Sequence, residues 1–390
     1  MFMRLPLRAL LAALAMGVLM SSGAWAQQAL KIGLILPMTG PFASTGKQID
    51  AAVKLYVAQH GDVVAGRKIE VLLRDDTGVA PETTKRFAQE LVTNDHAEIL
   101  AGFGLTPLAF SAAPVATQAK TPMVVMAAGT LVIPEKSPYI LRTSFTLPQQ
   151  TAPLAVWAPK QGIKKVFTLV TDYAPGIDAE TTFKQVFTAN GGQIVGDARL
   201  PLTNPDYAPF IQRAKDAKPD ALFIFVPSGE GAAVMKQFAE RGLAQAGIKL
   251  IGTGDVTDDD ILDRMGDPAI GTITSHFYST AHPSAANKAY VAAFEKANPQ
   301  LRPNFMAIGG YDGMALIYDV LNKTNGSAEG DKFVTAAKGL SWESPRGKIT
   351  IDPRTRDIIQ DVYLRKVERV NGRLFNVEFD RVAAVQPDGK

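Results

Sequence analysis

Small and polar residues follow six of the strands that the sequence predicts, each at the carboxyl end of its strand. Hydroxyl groups, glycines and the N–H groups of helix starts dominate these segments, and such neutral dipoles hold an anion without reacting with it. The segments are residues 39–46, 103–106, 127–130, 172–176, 227–230 and 254–255. Ligands of open α/β sheets bind at this edge of the sheet. These residues therefore predict the binding of a small carboxylate in a cleft.

Residue patterns that would support catalysis are incomplete in this chain. Residues 102–107 and 252–257 each begin like a dinucleotide-binding loop but lack the third glycine that lets helix and strand pack closely. Ser228 lacks the leading glycine of a nucleophile elbow. The chain has no cysteine, and its 4 histidines are not paired at metal-ligand spacing. We therefore expect a binding protein with no enzymatic activity, no cofactor and no metal.

Two motifs can be explained by a structural role as well as by a functional role. The acidic run at residues 258–260 precedes the apolar pair Ile261 and Leu262, and carboxylates at a helix start are favoured by the helix dipole. This run therefore predicts a helix start rather than a metal site. The hydroxyl of Thr106 precedes Pro107, so it is placed either to cap the next helix or to contact a ligand, and the sequence leaves both readings open.

The first 26 residues predict a cleaved secretory signal peptide. Arg4 and Arg8 form a positive start, residues 10–20 form an apolar run too short to span a bilayer stably, and residues 24–26 supply the small side chains that a signal peptidase needs. The mature chain is then expected to begin near Gln27 in the bacterial periplasm. A membrane anchor is disfavoured by the short apolar run, and lipid attachment would need a cysteine.

Charge and length narrow the class of protein further. The formal net charge is +3, and removal of a signal peptide containing Arg4 and Arg8 leaves it near zero, which disfavours nucleic acid as a partner. The remaining chain of about 364 residues exceeds the size at which a single hydrophobic core stops growing. Two lobes are therefore expected.

Short apolar runs alternate with helical periodicity from Leu30 onward, a pattern typical of parallel sheets covered by helices on both faces. The predicted strands are residues 30–36, 68–74, 98–102, 123–126, 166–171, 193–200, 221–226, 249–252 and 272–277, followed by 348–351, 360–368 and 374–378. The predicted helices are residues 46–60, 81–94, 107–119, 179–189, 207–217, 231–241, 284–297, 308–323 and 329–338. The last three strands, with Asn371 and Gly372 as a hairpin turn, predict a small antiparallel appendage on the second lobe.

The pattern as a whole predicts an α/β fold of two doubly wound Rossmann-like lobes joined by a hinge. The extended segment at residues 139–144 separates the two sets of βα units, and we interpret it as a hinge strand. We expect lobe 1 to contain residues 27–143 and 276–343, and lobe 2 to contain residues 144–275 and 344–383.

Five segments carry a resemblance to a known family. They are residues 31–46 (KIGLILPMTGPFASTG), 74–77 (RDDT), 124–127 (VVMA), 139–143 (YILRT) and 172–178 (DYAPGID). With them the chain resembles the type I periplasmic solute-binding proteins of ABC importers, in the branched-chain amino-acid-binding group. The resemblance extends from Leu30 to the C-terminal strands, and it implies a permease in the inner membrane as partner and hinge closure on the ligand.

The resemblance also implies which positions contact the ligand. In that family a hydroxyl after the third strand, here Thr106, and groups after the fourth strand hold the ligand carboxylate. Ser44 and Thr45 stand where amino-acid binders often carry a tyrosine, and Asp255 lies about one position from the acid that holds the ligand ammonium. The candidate ligand-binding residues are Ser44, Thr45, Phe103, Gly104, Leu105, Thr106, Ala127, Gly129, Thr130, Tyr173, Pro175, Ser228 and Asp255.

The identity of the ligand has several readings. Phe103 replaces a polar residue common in amino-acid binders, and residues 172–180 with 252–256 are similar to members that bind aromatic carboxylates of the benzoate or cinnamate type. An aromatic acid is therefore the predicted ligand. A branched-chain or other apolar amino acid, or an amide, is the alternative in the same fold, and a ligand-sensing receptor module is the alternative to import. Phe103 and Tyr173 also have an alternative role as ordinary core residues.

Overall fold

A computed structural model describes residues 29–390 of the chain. The predicted signal peptide at residues 1–26, including the predicted mature start near Gln27, lies outside the described residues. Within the described part, no helix has the length and apolar character needed to cross a membrane. The same residues contain no group of three or more histidine or acidic side chains placed to hold a metal ion.

The first sheet has six strands in the order β2-β3-β1-β4-β5-β6, and its β1, β3, β4, β5 and β6 run parallel. The strands are β1 (Leu30–Leu36), β2 (Val63–Val64), β3 (Arg67–Asp75), β4 (Ile99–Gly102), β5 (Met123–Val125) and β6 (Ile140–Arg142). Successive residues of β1 face opposite sides: Leu34 and Leu36 belong to one core and Ile35 to another. The sheet is thus covered by helices on both faces, which is why its inner strands β4 and β5 consist of apolar residues and glycine.

The second sheet has nine strands. They are β7 (Lys165–Thr171), β8 (Gln193–Leu200), β9 (Ala221–Phe225), β10 (Lys249–Thr253), β11 (Ile273–His276), β12 (Ser341–Ser344), β13 (Gly347–Ile351), β14 (Ile358–Val370) and β15 (Arg373–Val385). Strands β7 to β11 are parallel, whereas β14 pairs antiparallel with β11 and then with β13 and β15. The C-terminal strands are antiparallel, as predicted, but they continue the second sheet through β14 instead of forming a small appendage.

Eleven helices lie in the described residues. They are α1 (Ala43–His60), α2 (Pro81–Thr93), α3 (Thr106–Ala119), α4 (Leu147–Lys160), α5 (Ala174–Ala189), α6 (Ala208–Asp216), α7 (Gly231–Glu240), α8 (Leu262–Met265), α9 (Ala285–Ala297), α10 (Phe305–Lys323) and α11 (Gly330–Ala337). Helices α1 and α10 pack together on one face of the first sheet, and α2 packs on α3 at the other. Helices α4 and α5 cover one face of the second sheet, and α6 and α7 the other.

The predicted two-lobed α/β fold is confirmed. We call the first sheet with α1–α3 and α9–α11 the first lobe, and the second sheet with α4–α8 the second lobe. The segment at residues 139–144 contains β6, an edge strand of the first sheet, and the chain enters α4 of the second lobe directly after it. Helix α4 was not predicted, because Pro148, Pro153 and Pro159 conceal its periodicity.

Candidate functional site

A cavity lies between the lobes, where the carboxyl ends of the parallel strands of both sheets face each other. Its volume, counted together with the space that opens to solvent, is about 370 Å³. Its lining residues are Phe42, Thr45, Gly104, Leu105, Thr106, Ala127, Ala128, Gly129, Phe145, Leu147, Tyr173, Pro175, Phe225, Pro227, Ser228, Asp255 and Met306. No lysine, arginine or histidine is among them, so an anion in this cavity would be held by neutral groups.

The first lobe contributes hydrogen-bond donors to the cavity. Helix α3 begins there, and Leu105 is its N-cap without a side-chain capping bond. The hydroxyl of Thr106 donates instead to the hydroxyl of Thr130, at 3.0 Å, so the capping reading of Thr106 is wrong. Among residues 29–390, the backbone N–H groups of Thr106 and Gly129 have no hydrogen-bond acceptor. Two unpaired N–H groups beside a helix start favour a negatively charged ligand group.

A buried arginine, Arg142, fixes the loop from Ala127 to Leu131 by hydrogen bonds to its carbonyl oxygens. The guanidinium of Arg142 donates to the carbonyl oxygens of Ala128, at 3.1 Å, of Thr130, at 2.7 Å, and of Leu131, at 3.3 Å. Its Nε donates to the Asp357 carboxylate at 2.8 Å, and both side chains are buried. Arg142 therefore positions the cavity loop without lining the cavity.

The second lobe contributes an aromatic wall. Tyr173 directly precedes α5, and Phe225 ends β9; their ring centroids lie 6.0 Å apart with planes inclined by 26°. Burial raises the pKa of the Tyr173 phenol well above its usual range, and the negative charge of Asp255 adds to that effect. Tyr173 is thus a neutral aromatic residue at ordinary pH, suited to contact with a flat apolar ligand.

Asp255 is the acidic side chain of the cavity. It lies in the short 3₁₀ turn Gly254–Thr257 after β10 and is 3% exposed. Its Oδ2 has no hydrogen-bond partner among the described residues, and Nε2 of His276 lies 4.0 Å away. Burial raises the pKa of Asp255 to about 6. An unpaired buried carboxylate oxygen is a strong acceptor for a donor supplied from outside the protein.

Of the predicted ligand-binding residues, ten line the cavity: Thr45, Gly104, Leu105, Thr106, Ala127, Gly129, Tyr173, Pro175, Ser228 and Asp255. The structure places the other three behind its walls. The Thr130 hydroxyl accepts from Thr106, and Phe103 is fully buried in the core on the α3 face of the first sheet. Ser44 donates to Asp260 of the second lobe at 2.5 Å.

Seven lining residues are not among the candidates named individually from the sequence: Phe42, Ala128, Phe145, Leu147, Phe225, Pro227 and Met306. Phe42, Ala128, Phe225 and Pro227 stand within or beside predicted strand-end segments, so position along the chain could have found them. Phe145, Leu147 and Met306 come from the crossing into α4 and from the start of α10. No local pattern marks those three.

The acidic run at residues 258–260 connects the two lobes. Asp260 accepts from Ser44, and Asp258 accepts from Asn304 at 3.0 Å, where Asn304 is the N-cap of α10 in the first lobe. Burial raises the pKa of Asp258 to about 7. Helix α8 begins at Leu262, just after the run, as the sequence predicts, although no side chain of the run caps it. We call the Ser44–Asp260 and Asn304–Asp258 pairs the latch.

Two facing α/β lobes with a cavity between their strand ends define a class of solute-binding proteins. A model of the family described as periplasmic binding protein matches residues 29–373, and the chain belongs to this family. The family predicted from the sequence is thereby confirmed. A relative from Brucella abortus (strain 2308), named Leu/Ile/Val-binding protein homolog 6, is 42% identical over 372 residues, which are 94% of this chain and 95% of the relative.

Two crystal structures of similar proteins contain ligands. A solute-binding protein of an ABC transporter from Rhodopseudomonas palustris BisB5, in complex with 3,4-dihydroxybenzoic acid, is 60% identical with a TM-score of 0.91, covering 93% of this chain and 99% of that one. A second, from Rhodopseudomonas palustris HaA2 in complex with p-hydroxybenzoic acid, is 42% identical with a TM-score of 0.89, covering 93% and 98%.

Proposed function

We propose that this protein is the periplasmic solute-binding component of an ABC importer and that it captures an aromatic carboxylate for delivery to a membrane permease. The observation that carries the proposal is the cavity, which combines neutral anion-binding donors on the first lobe with an aromatic wall on the second. The aromatic acids in the two similar crystal structures support the same class of ligand. The protein binds and releases this ligand without altering it chemically.

The cavity has a polarity that orients such a ligand. The ligand carboxylate lies at the first lobe, where the N–H groups of Thr106 and Gly129 have no other acceptor. The ring then lies against Tyr173 and Phe225 of the second lobe. Burial of the ring supplies most of the affinity, at about 25 cal/mol for each Å² of apolar surface removed from water. The carboxylate interactions fix the orientation.

Binding is coupled to closure of the lobes, since residues from both lobes contact one ligand. We place the hinge at the three chain crossings between β6 and α4, between β11 and α9, and between α11 and β12. The closed form is stabilised by the latch and by a further contact in which the N–H of Leu131 donates to Asp178 of α5 at 2.9 Å. Ligand shifts the population from open to closed molecules, which is the form that a permease would recognise.

An apolar amino acid is the second candidate ligand. The unpaired carboxylate of Asp255 is suited to an ammonium group, and the Brucella abortus relative has a Leu/Ile/Val-binding name. An amino acid is a zwitterion without net charge, so the charge of Asp255 does not exclude it. The rings of Tyr173 and Phe225, however, line the cavity and are suited to a flat ligand. The geometry therefore favours the aromatic acid.

Calorimetry on purified protein, refolded to remove any captured compound, tests the ligand class. We expect binding of benzoate, hydroxybenzoates or cinnamates and stabilisation of the protein by them in thermal unfolding. Binding of leucine or isoleucine without any aromatic acid would overturn the proposal. Chromatography of the released ligand checks that it is unchanged, and uptake of labelled ligand by cells lacking the gene separates import from sensing.

Replacing Tyr173 by alanine is expected to weaken binding of the aromatic acid at least about tenfold, equivalent to 1.4 kcal/mol. The substitution removes a ring that lines the cavity and pairs with Phe225. Calorimetry measures the change. Phe379→Ala is the matched control, because that ring is exposed on β15 and should leave the affinity unaltered. Equal affinities in all three proteins would remove Tyr173 from the site.

Replacing Ser44 by alanine is expected to weaken ligand binding about 2- to 10-fold, although Ser44 does not line the cavity. The closed form loses one interlobe hydrogen bond and the open form loses nothing, so the equilibrium moves toward open molecules. Calorimetry and small-angle scattering measure affinity and dimensions. Ser111→Ala, whose hydroxyl bonds within α3 to Leu108 at 2.8 Å, is the control. Unchanged affinity in both Ser44→Ala and Asp260→Ala would contradict a role for the latch.

A further inference from the structure

We propose that Asp255 accepts a hydrogen bond from a ring hydroxyl of the bound aromatic acid and so selects hydroxylated benzoates over unsubstituted benzoate. This inference rests on the proposed function and assigns the second-lobe end of the cavity. The first-lobe end holds the carboxylate, and the ring separates the two ends. The ligand class that fits is a flat acid with a hydrogen-bond donor on the ring, remote from the carboxylate.

The state of Asp255 is the first observation. The residue lines the cavity, its side chain is 4% exposed, and its Oδ2 has no hydrogen-bond partner among the described residues. Buried polar atoms in proteins are nearly always paired, and an unpaired carboxylate oxygen is especially unfavourable. A ligand that donates to Oδ2 would pair it, whereas a ligand with a bare hydrocarbon edge would leave it unpaired when the lobes close.

The neighbours of Asp255 do not donate to its Oδ2. The hydroxyl of Thr253 is close enough to limit the rise of the Asp255 pKa, but both that hydroxyl and Oδ2 are unpaired among the described residues. Arg365 is directed to Tyr278 and to the hydroxyl of Thr274, the latter at 3.1 Å. The ring of His276 lies 4.0 Å from Oδ2, and burial, with the charges of Arg365 and Arg346, holds its pKa well below the usual range. His276 is thus neutral, and neither of its ring nitrogens has a hydrogen-bond partner in the described chain.

Charge determines which end of the ligand faces Asp255. A ligand carboxylate beside the Asp255 carboxylate would place two like charges in a buried space, which is strongly unfavourable. A phenolic hydroxyl is neutral and donates to a carboxylate in a strong, charge-assisted hydrogen bond. Tyr173 and Asp255 both line the cavity, so an aromatic ligand there can contact the Tyr173 ring while its hydroxyl reaches the acid.

Calorimetry with benzoate, 3-hydroxybenzoate, 4-hydroxybenzoate and 3,4-dihydroxybenzoate tests the inference. The wild-type protein is expected to bind its best hydroxylated ligand at least about tenfold more tightly than benzoate. Asp255→Ala is expected to lose this preference while retaining benzoate. Asp255→Asn, of nearly equal size, covers the case in which alanine disturbs folding, and Asp263→Asn on α8, outside the cavity lining, is the control.

The outcomes separate this inference from the proposed function. If no aromatic acid binds the wild-type protein, the proposed function fails. If aromatic acids bind but the preference for hydroxylated ligands is absent, or is the same in wild type, Asp255→Ala and Asp255→Asn, the inference alone is overturned. Loss of all binding in both folded variants would also overturn it, because benzoate does not need Asp255 under this assignment.

The direction in which ligand affinity changes with pH is an independent test of this assignment. Burial places the pKa of Asp255 at about 6, so protonation below that pH removes the charged acceptor and should weaken 4-hydroxybenzoate binding but not benzoate binding. A ligand carboxylate facing Asp255 would give the opposite sign and overturn the inference. Tyr173, His276 and Arg365 keep their charge states in this range, whereas Asp258 titrates near pH 7. The Asp255→Asn variant should keep the part of the pH dependence that comes from Asp258 and lose the part that comes from Asp255.

Discussion

Replacing Asp357 by alanine is expected to lower the free energy of unfolding by about 3–5 kcal/mol, because it leaves the Arg142 guanidinium buried without its counter-charge. Both side chains are almost fully buried, and Nε of Arg142 donates to Oδ1 of Asp357 at 2.8 Å. Arg142 stands on the edge strand β6 of the first sheet, and Asp357 directly precedes β14 of the second. The pair therefore joins the two lobes beside the crossing.

The same substitution should loosen the cavity loop. Arg142 donates hydrogen bonds to the carbonyl oxygens of Ala128 and Thr130. Displacement of Arg142 would therefore move the N–H of Gly129, which lies between them in the chain, away from the ligand carboxylate. Urea unfolding and calorimetry measure the two effects. Arg354→Ala in the same loop is the control, because that side chain is 80% exposed and its ion pair with Asp352 is worth at most about 1 kcal/mol. An Asp357→Ala protein as stable as Arg354→Ala would refute the assignment.

The parallel strands could be predicted from the sequence because burial on both faces demands continuous apolar runs. The predicted β1 at residues 30–36 coincides with the observed strand Leu30–Leu36, and Asn371 with Gly372 does form the turn between β14 and β15. Helix α4 could not be predicted, since its stability comes from a capping box between Thr146 and Gln149 and from tertiary packing on α5 rather than from its own periodicity.

The site was predictable where it follows strand ends and not where distant segments meet. Thr106, Tyr173 and Asp255 each follow a parallel strand, and the sheet brings such positions to one edge. The Arg142–Asp357 pair joins residues 215 positions apart in the chain, and no local pattern encodes that contact. The acidic run at residues 258–260 does precede a helix, as predicted, but its hydrogen bonds to Ser44 and Asn304 are tertiary contacts that no local pattern encodes.

Replacing Gly176 by alanine is expected to lower the free energy of unfolding by about 3 kcal/mol or more and to abolish tight ligand binding. A β-carbon at this position would lie 1.8 Å from the backbone oxygen of Thr171, the last residue of β7. The obstructing atom belongs to the backbone of β7, which pairs with β8 on one side and β9 on the other, so it cannot rotate away as a side chain can. Helix α5 must therefore shift as a unit.

That shift carries the aromatic wall with it, because Tyr173 and Pro175 stand at the start of the same helix and line the cavity. Thermal unfolding and calorimetry with the preferred aromatic acid measure the two losses. Thr181→Ala is the matched control, because it introduces alanine at an exposed position of the same helix. Alanine is a better helix former than threonine, so this variant should not be destabilised. A Gly176→Ala protein that retained both stability and affinity would contradict the close approach of α5 to β7. It would also show that this approach does not set the position of Tyr173.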